Sequence, residues 1–166
     1  MHALLAALTF AIAACDTEPT GPLPVPGTPI SLETNELVVN IHEVTLAYQV
    51  AREELARVRP EWRGDPAWDF EFTQEELYAN GHPAMGVTYP AAVWSRVAWN
   101  PRVADTAFQH ELFHVWLGHW TSTYDPTHKS FPEVWDDADH VAPQRLRMLW
   151  EAFVITGAES ISPGAN

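Results

Sequence analysis

At 166 residues the chain suffices for one domain with its own core, and a second domain is not expected. An apolar fraction of 46% with eight tryptophans excludes a disordered chain. A net charge of −13 argues against a nucleic-acid partner, and the single cysteine, Cys15, excludes an intrachain disulfide.

Residues 1–14, MHALLAALTFAIAA, form an apolar run too short to span a bilayer as a stable helix. The run reads as the core of a secretory signal, although no Lys or Arg precedes it. Ile12-Ala13-Ala14-Cys15 resembles the lipobox of bacterial lipoproteins, in which the cysteine becomes the lipidated first residue of the mature chain. The resemblance implies export, a place in the cell envelope, and a lipid anchor at Cys15 as the only membrane attachment. Residues 16–31 carry five prolines and predict an extended tether. The folded domain is then expected over residues 32–160.

Leu37, Ile41, Val44, Tyr48, Ala51, Leu55 and Val58 recur at steps of four and three. That is the stripe of an amphipathic helix, which Pro60 ends. A short strand over Leu37–Ile41 before a shorter helix is the alternative. Phe70–Phe72 reads as a short strand, Gln74–Tyr78 as a helical turn, and Asn80-Gly81-His82-Pro83 as a chain reversal. Two further strands are predicted, Met85–Tyr89 and Ala92–Trp99. In the second, Val93, Ser95, Val97 and Trp99 alternate with Trp94, Arg96 and Ala98.

Asn100-Pro101 marks a turn, and Thr106 with Gln109 forms a capping-box pair that opens a helix. Phe108, Leu112, Val115 and Trp116 give this helix an apolar stripe, and Gly118 offers a stop. Opposite the stripe runs His110-Glu111-Leu112-Phe113-His114, an H-E-x-x-H string. At 3.6 residues per turn the two histidines lie about 40° apart, one turn above the other. Both imidazoles can then reach one metal ion at about 2.0–2.1 Å. Glu111 stands about 60° round from His114, beside such a metal, where a general base is needed.

Trp120–Val141 reads as irregular and polar. Pro143 opens a last amphipathic helix, with Leu146, Leu149, Trp150 and Phe153 expected on the core and a frayed tail after Gly157. Its acidic string, Asp136-Asp137-Ala138-Asp139, reads as a solvated helix N-terminus.

A catalytic zinc takes three protein ligands and leaves a position for water, so one ligand must come from later chain. His119 falls on the apolar side of the continuing helix and reads as core or cap. His128 sits in a turn-forming stretch, Asp125-Pro126-Thr127-His128, and Asp125 could orient an imidazole. H-E-x-x-H followed by D-x-x-H and a nearby Trp resembles small exported bacterial zincin-like proteins, which makes His128 the expected third ligand. Glu133 is the main rival. Eighteen residues separate it from His114, and residues 110–118 resemble the H-E-L-x-H-x-W-x-G of gluzincin aminopeptidases, although Pro132-Glu133-Val134-Trp135 departs from that family's ligand segment. His140 and the aspartates before it, Asp136, Asp137 and Asp139, are further alternatives.

The resemblance to zincins implies an α+β domain: an N-terminal helix, a short twisted sheet with Ala92–Trp99 nearest the cleft, the H-E-x-x-H helix and a C-terminal helix. It implies a Zn²⁺-dependent metallopeptidase acting on a peptide or protein. His110, His114 and His128 would hold the metal and Glu111 would serve as base, with Tyr124 or His140 stabilising the oxyanion. The competing readings are a lipid-anchored zinc-binding module without turnover, for instance with both His128 and Glu133 on the metal, and a Trp-rich cell-surface interaction domain.

Overall fold

The computed structural model describes residues 21–34, 37, 39–98 and 106–160. Cys15, the apolar run before it and the Asn100-Pro101 turn lie outside the described residues. The fold is α+β, with helices packed on a mixed five-stranded sheet.

The sheet begins earlier than the composition suggests. β1 (Leu23–Pro24) pairs antiparallel with β2 (Ile30–Glu33), and Val25 and Ile30 are buried in the core. The tether expected over residues 16–31 therefore gives way to structure by Leu23. A proline is tolerated there because β1 is an edge strand, where a missing N–H breaks no interior ladder bond. β3 (Trp68–Thr73) follows β2 in parallel. Its Trp68, Phe70 and Phe72 point to one buried face at the strand period of two. On the other face Glu71 meets Arg96 of β7 (Trp94–Ala98), directly opposite in register, at 2.8 Å.

The strand order is β1-β2-β3-β7-β6, where β6 is Gly86–Tyr89. β7 is paired on both sides, so it is not the strand nearest the cleft; the edge strand β6 holds that place. Pro90–Ala92 forms one 3-10 turn and Val93 is left-handed, which starts β7 two residues later than expected. The helical turn expected at Gln74–Tyr78 is instead the start of a hairpin, β4 (Leu77–Ala79) with β5 (His82–Ala84). Asn80 and Gly81 both have positive φ, as a two-residue hairpin turn requires.

The first helix, α1 (Ile41–Val58), starts four residues inside the apolar stripe. Asn40 caps it, its side chain accepting from the N–H groups of His42 and Glu43 at 3.1 and 3.4 Å. α2 (Thr106–Thr121) buries Phe108, Leu112, Val115 and Trp116, as its stripe predicts. Phe108 meets Phe70 and Phe72 edge-on at 5.0 and 5.6 Å. The capping-box reading of Gln109 fails. Its side chain is fully buried and donates to the carbonyl of Ala47 in α1, at 3.0 Å. Nor does Gly118 end the helix, which runs three residues further. A Cβ there would collide with the ring of Tyr124, so the glycine makes room for the returning chain.

The irregular segment expected up to Val141 is mostly helical. α3 (Pro132–Asp136) runs through a π turn, Asp137–Val141, into α4 (Ala142–Ser160). Pro143 sits inside this run and does not open it. It has no N–H to give and crowds the carbonyl four residues back, that of Asp139; the wider turn absorbs both, with the N–H of Ala142 reaching Asp137. α4 buries Leu146, but Leu149 and Phe153 are exposed, contrary to expectation. Ion pairs help to hold the run onto α1: Arg145 with Glu54 at 2.6 Å, and Arg57 with the buried Asp137 at 2.7 Å.

Candidate metal centre

Because the apolar back of α2 is locked into the core, its opposite face has one setting. His110 and His114 stand on that face with ring centroids 4.9 Å apart. Beyond Thr121 the chain doubles back through three non-glycine residues of positive φ, Ser122, Asp125 and His128. Left-handed backbone at such residues is costly and needs support. Asp125 supplies it. Its buried carboxylate accepts from the N–H groups of Lys129 (3.2 Å) and Ser130 (2.9 Å) and from the indole N–H of Trp135 (2.8 Å). Burial alone would raise its pKa, but these donors outweigh burial and hold it below the usual carboxylate range.

The loop thus built delivers His128 to the two helical histidines. Trp135 stacks on His128 at 4.1 Å and faces His114 and His110 at 4.5 and 5.1 Å, a single indole floor for three imidazoles. One nitrogen from each ring falls within 4.8 Å of the others. Among the described residues this is the one such group able to hold a metal ion.

Hydrogen bonds set the tautomers. The carbonyl of Tyr124 can only accept, so Nδ1–H of His114 donates to it, at 2.5 Å. His110 bonds through Nδ1 to the carboxylate of Asp139 at 2.7 Å. Both rings therefore turn Nε2 inward. Nε2 of His114 and of His128 lie 3.3 Å apart. Two nitrogens about 2.0–2.1 Å from a tetrahedral ion would sit about 3.3 Å apart, so this pair already has the spacing of two ligands. Burial, and then the neighbouring His110, pulls the pKa of His114 down to about 3; the same two causes lower that of His128. Neutral imidazole is the form a metal binds.

No protein-family model matches this chain, and no curated protein or solved structure does either.

Of the residues singled out in the sequence, the fold brings together His110, Glu111, His114 and His128. Glu133 goes elsewhere. It lies in the first turn of α3, half exposed, and pairs with Arg59 of α1's C-terminal cap. A site closed by both His128 and Glu133 does not form. His140 is exposed and does not line the cleft, and His119 is exposed in the last turn of α2, so of its two readings, core or cap, the core one fails. Asp125 does not orient an imidazole; it braces the loop, and the carboxylate on a histidine is Asp139. Three contributors escape the sequence reading, Trp135, Thr88 and Gly86, and Asp139 enters as the partner of His110 and not as solvated surface. Thr88 of β6 donates to Oε2 of Glu111 at 2.5 Å. A Cβ on Gly86 would lie 2.5 Å from Oε1 of the same carboxylate. Glu111 is 3% exposed; burial raises its pKa, against the pull of Thr88 and His110.

Two predictions arise here. Asp139→Ala should weaken zinc affinity by about 10–100-fold, the usual effect of losing a carboxylate behind a ligating imidazole. Competition against a chromophoric chelator measures it, and unchanged affinity would show that Asp139 does not support the metal. The second concerns pH. His114 is held neutral in the fold but binds a proton in the unfolded chain below about 6.5. Its contribution to the stability of the metal-free protein is therefore present near pH 7 and is lost as pH falls. Glu111, with its raised pKa, runs the other way. Between pH 7 and 5 the melting temperature of the metal-free wild type should fall more steeply than that of His114→Gln. Parallel curves would contradict the assignment.

Proposed function

We propose that this chain is a zinc-dependent peptide hydrolase, carried in the cell envelope on a lipid anchor at Cys15. The observation that supports it is the meeting of three imidazole nitrogens beside a buried carboxylate in one cleft of about 690 Å³. Tyr78, Met85, Val87, Tyr89 and Tyr124 furnish its walls.

Zinc held by His110, His114 and His128 would supply Lewis acidity, lowering the pKa of water towards about 7 and polarising the substrate carbonyl. The side chains of the chain perform the remaining steps. Glu111 takes the proton of the attacking water and returns it to the leaving amine. Burial suits it to the first task, since a carboxylate with a raised pKa takes the proton more readily and keeps it until the leaving amine accepts it. Of the three phenols that line the cleft, those of Tyr78, Tyr89 and Tyr124, the one proposed as donor for the oxyanion is Tyr124, which follows the ligand-bearing helix and whose ring is wedged against Gly118. An extended peptide lies along β6, whose outer edge has no partner strand in the sheet among the described residues.

The test is hydrolysis of an unstructured protein, such as casein, by the purified chain. Activity should vanish on stripping the metal with a chelator and return on adding one equivalent of zinc. A chain that binds zinc at this site yet cleaves nothing in a broad peptide library would overturn the reading.

A further inference from the structure

Glu111 does not stand alone in the sheet–helix interface. Behind it runs a file of polar groups on three strands. The indole N–H of Trp68 (β3) donates to Oγ of Ser95 (β7) at 3.0 Å. Ser95 Oγ lies 2.8 Å from Oγ1 of Thr88 (β6), and Thr88 donates to Oε2 of Glu111 at 2.5 Å. Strand register sets Ser95 directly opposite Thr88, and Trp68 reaches it diagonally from two residues before Phe70, its partner on the other side. Ser95 is fully buried and Trp68 and Glu111 nearly so.

The sense of this file is fixed from the carboxylate end. An indole N–H can only donate, and an ionised carboxylate can only accept. Each hydroxyl has one hydrogen. The hydrogen of Thr88 goes to Glu111, so Thr88 accepts from Ser95, whose oxygen in turn accepts from Trp68. A buried hydroxyl in an otherwise apolar face is costly unless both its roles are filled, and here both are. Oε2 is thereby held on the sheet side. Oε1 lies over Gly86, where the absent side chain leaves it space.

We propose that Thr88 and Ser95 are positioning residues for the general base: the one-way relay from Trp68 clamps one oxygen of Glu111 and reserves the other for the attacking water. The proposal rests on the hydrolase reading above. Misplacing a reacting group by about 1 Å can cost on the order of a hundredfold.

Thr88→Val keeps the shape and removes the hydroxyl. It should lower kcat by about 10–100-fold, with KM and zinc content unchanged. Thr88→Ser should restore most of the loss, and Ser95→Ala should lower kcat in the same direction. A Thr88→Val enzyme within twofold of wild type would overturn the relay, as would a Thr88→Ser enzyme no better than Thr88→Val. A second readout needs no turnover. In metal-free protein labelled with ¹³C at glutamate Cδ, the Glu111 resonance is the one missing from Glu111→Gln. It should move in Thr88→Val and stay in place in Thr88→Ser; no movement in the valine variant would overturn the proposal. A wild type without hydrolase activity would remove the proposed function, and the carboxylate resonance would then decide whether Thr88 clamps Glu111.

Discussion

Glu111→Gln should abolish peptide hydrolysis while leaving one zinc ion bound per chain. The loss expected for a general base is at least 10²–10⁴-fold in kcat. The separation of the two effects follows from where the side chain goes. Its Oε2 is taken by Thr88 and its Oε1 lies over Gly86, while the three ligand nitrogens come from other side chains. Glutamine has the same shape and can still accept from Thr88, but it cannot take a proton from water. The substitution should also leave the melting temperature at pH 7 unchanged or raise it, because it removes a carboxylate whose charged form burial opposes. Metal analysis, a peptide-cleavage assay and a melting curve on one preparation suffice. Wild-type turnover would exclude Glu111 as the base, and a preparation devoid of zinc would show that it serves the metal directly.

His128→Ala should weaken zinc binding by more than the 10–100-fold that an outer partner such as Asp139 commands, whereas Glu133→Ala should leave it unaltered. Only His128 brings a nitrogen to 3.3 Å from Nε2 of His114. Glu133 is engaged by Arg59 on the far side of α3's first turn, and breaking a half-exposed ion pair costs about 0–1 kcal/mol. Calorimetric titration of both variants reads the contrast. Equal affinities would remove His128 from the ligand set, and a reversed order would put Glu133 in its place.

The α+β class came from the resemblance to zincins; local periodicity carried the body of α1, the strands β6 and β7 and the H-E-x-x-H helix with its buried stripe. These are features that residues three or four apart, or alternate residues, set among themselves. Elements that depend on distant partners were not legible. Gln109 looks like a cap until α1 presents the Ala47 carbonyl to it. Gly118 looks like a helix stop until Tyr124 folds back onto it. Residues 23–31 look like tether because their prolines mask two short strands that need β3 as a template. The site divides in the same way. The pair on α2 follows from helical spacing. The choice between His128 and Glu133 depended on a loop whose geometry Asp125 dictates from five and ten residues away. Asp139 was hidden in a string of acids that reads as solvated surface. Ser95 left a trace, a hydroxyl on the core-facing side of an apolar alternation. A buried polar residue needs partners, and that trace could have led to Thr88.

The π turn between α3 and α4 makes chain length itself a coordinate of the metal site. Most helical segments at a protein surface tolerate side-chain exchange because only the outward direction matters. Between Asp137 and Val141 the direction of each side chain is set by one surplus residue in the turn and by a proline that forbids the ordinary pitch. Two neighbouring aspartates thereby serve different masters: Asp137 neutralises Arg57 inside the helix packing, and Asp139 steadies the imidazole of His110. Structural cohesion and metal chemistry share a single count of residues, so neither can be retuned by insertion or deletion there without disturbing the other.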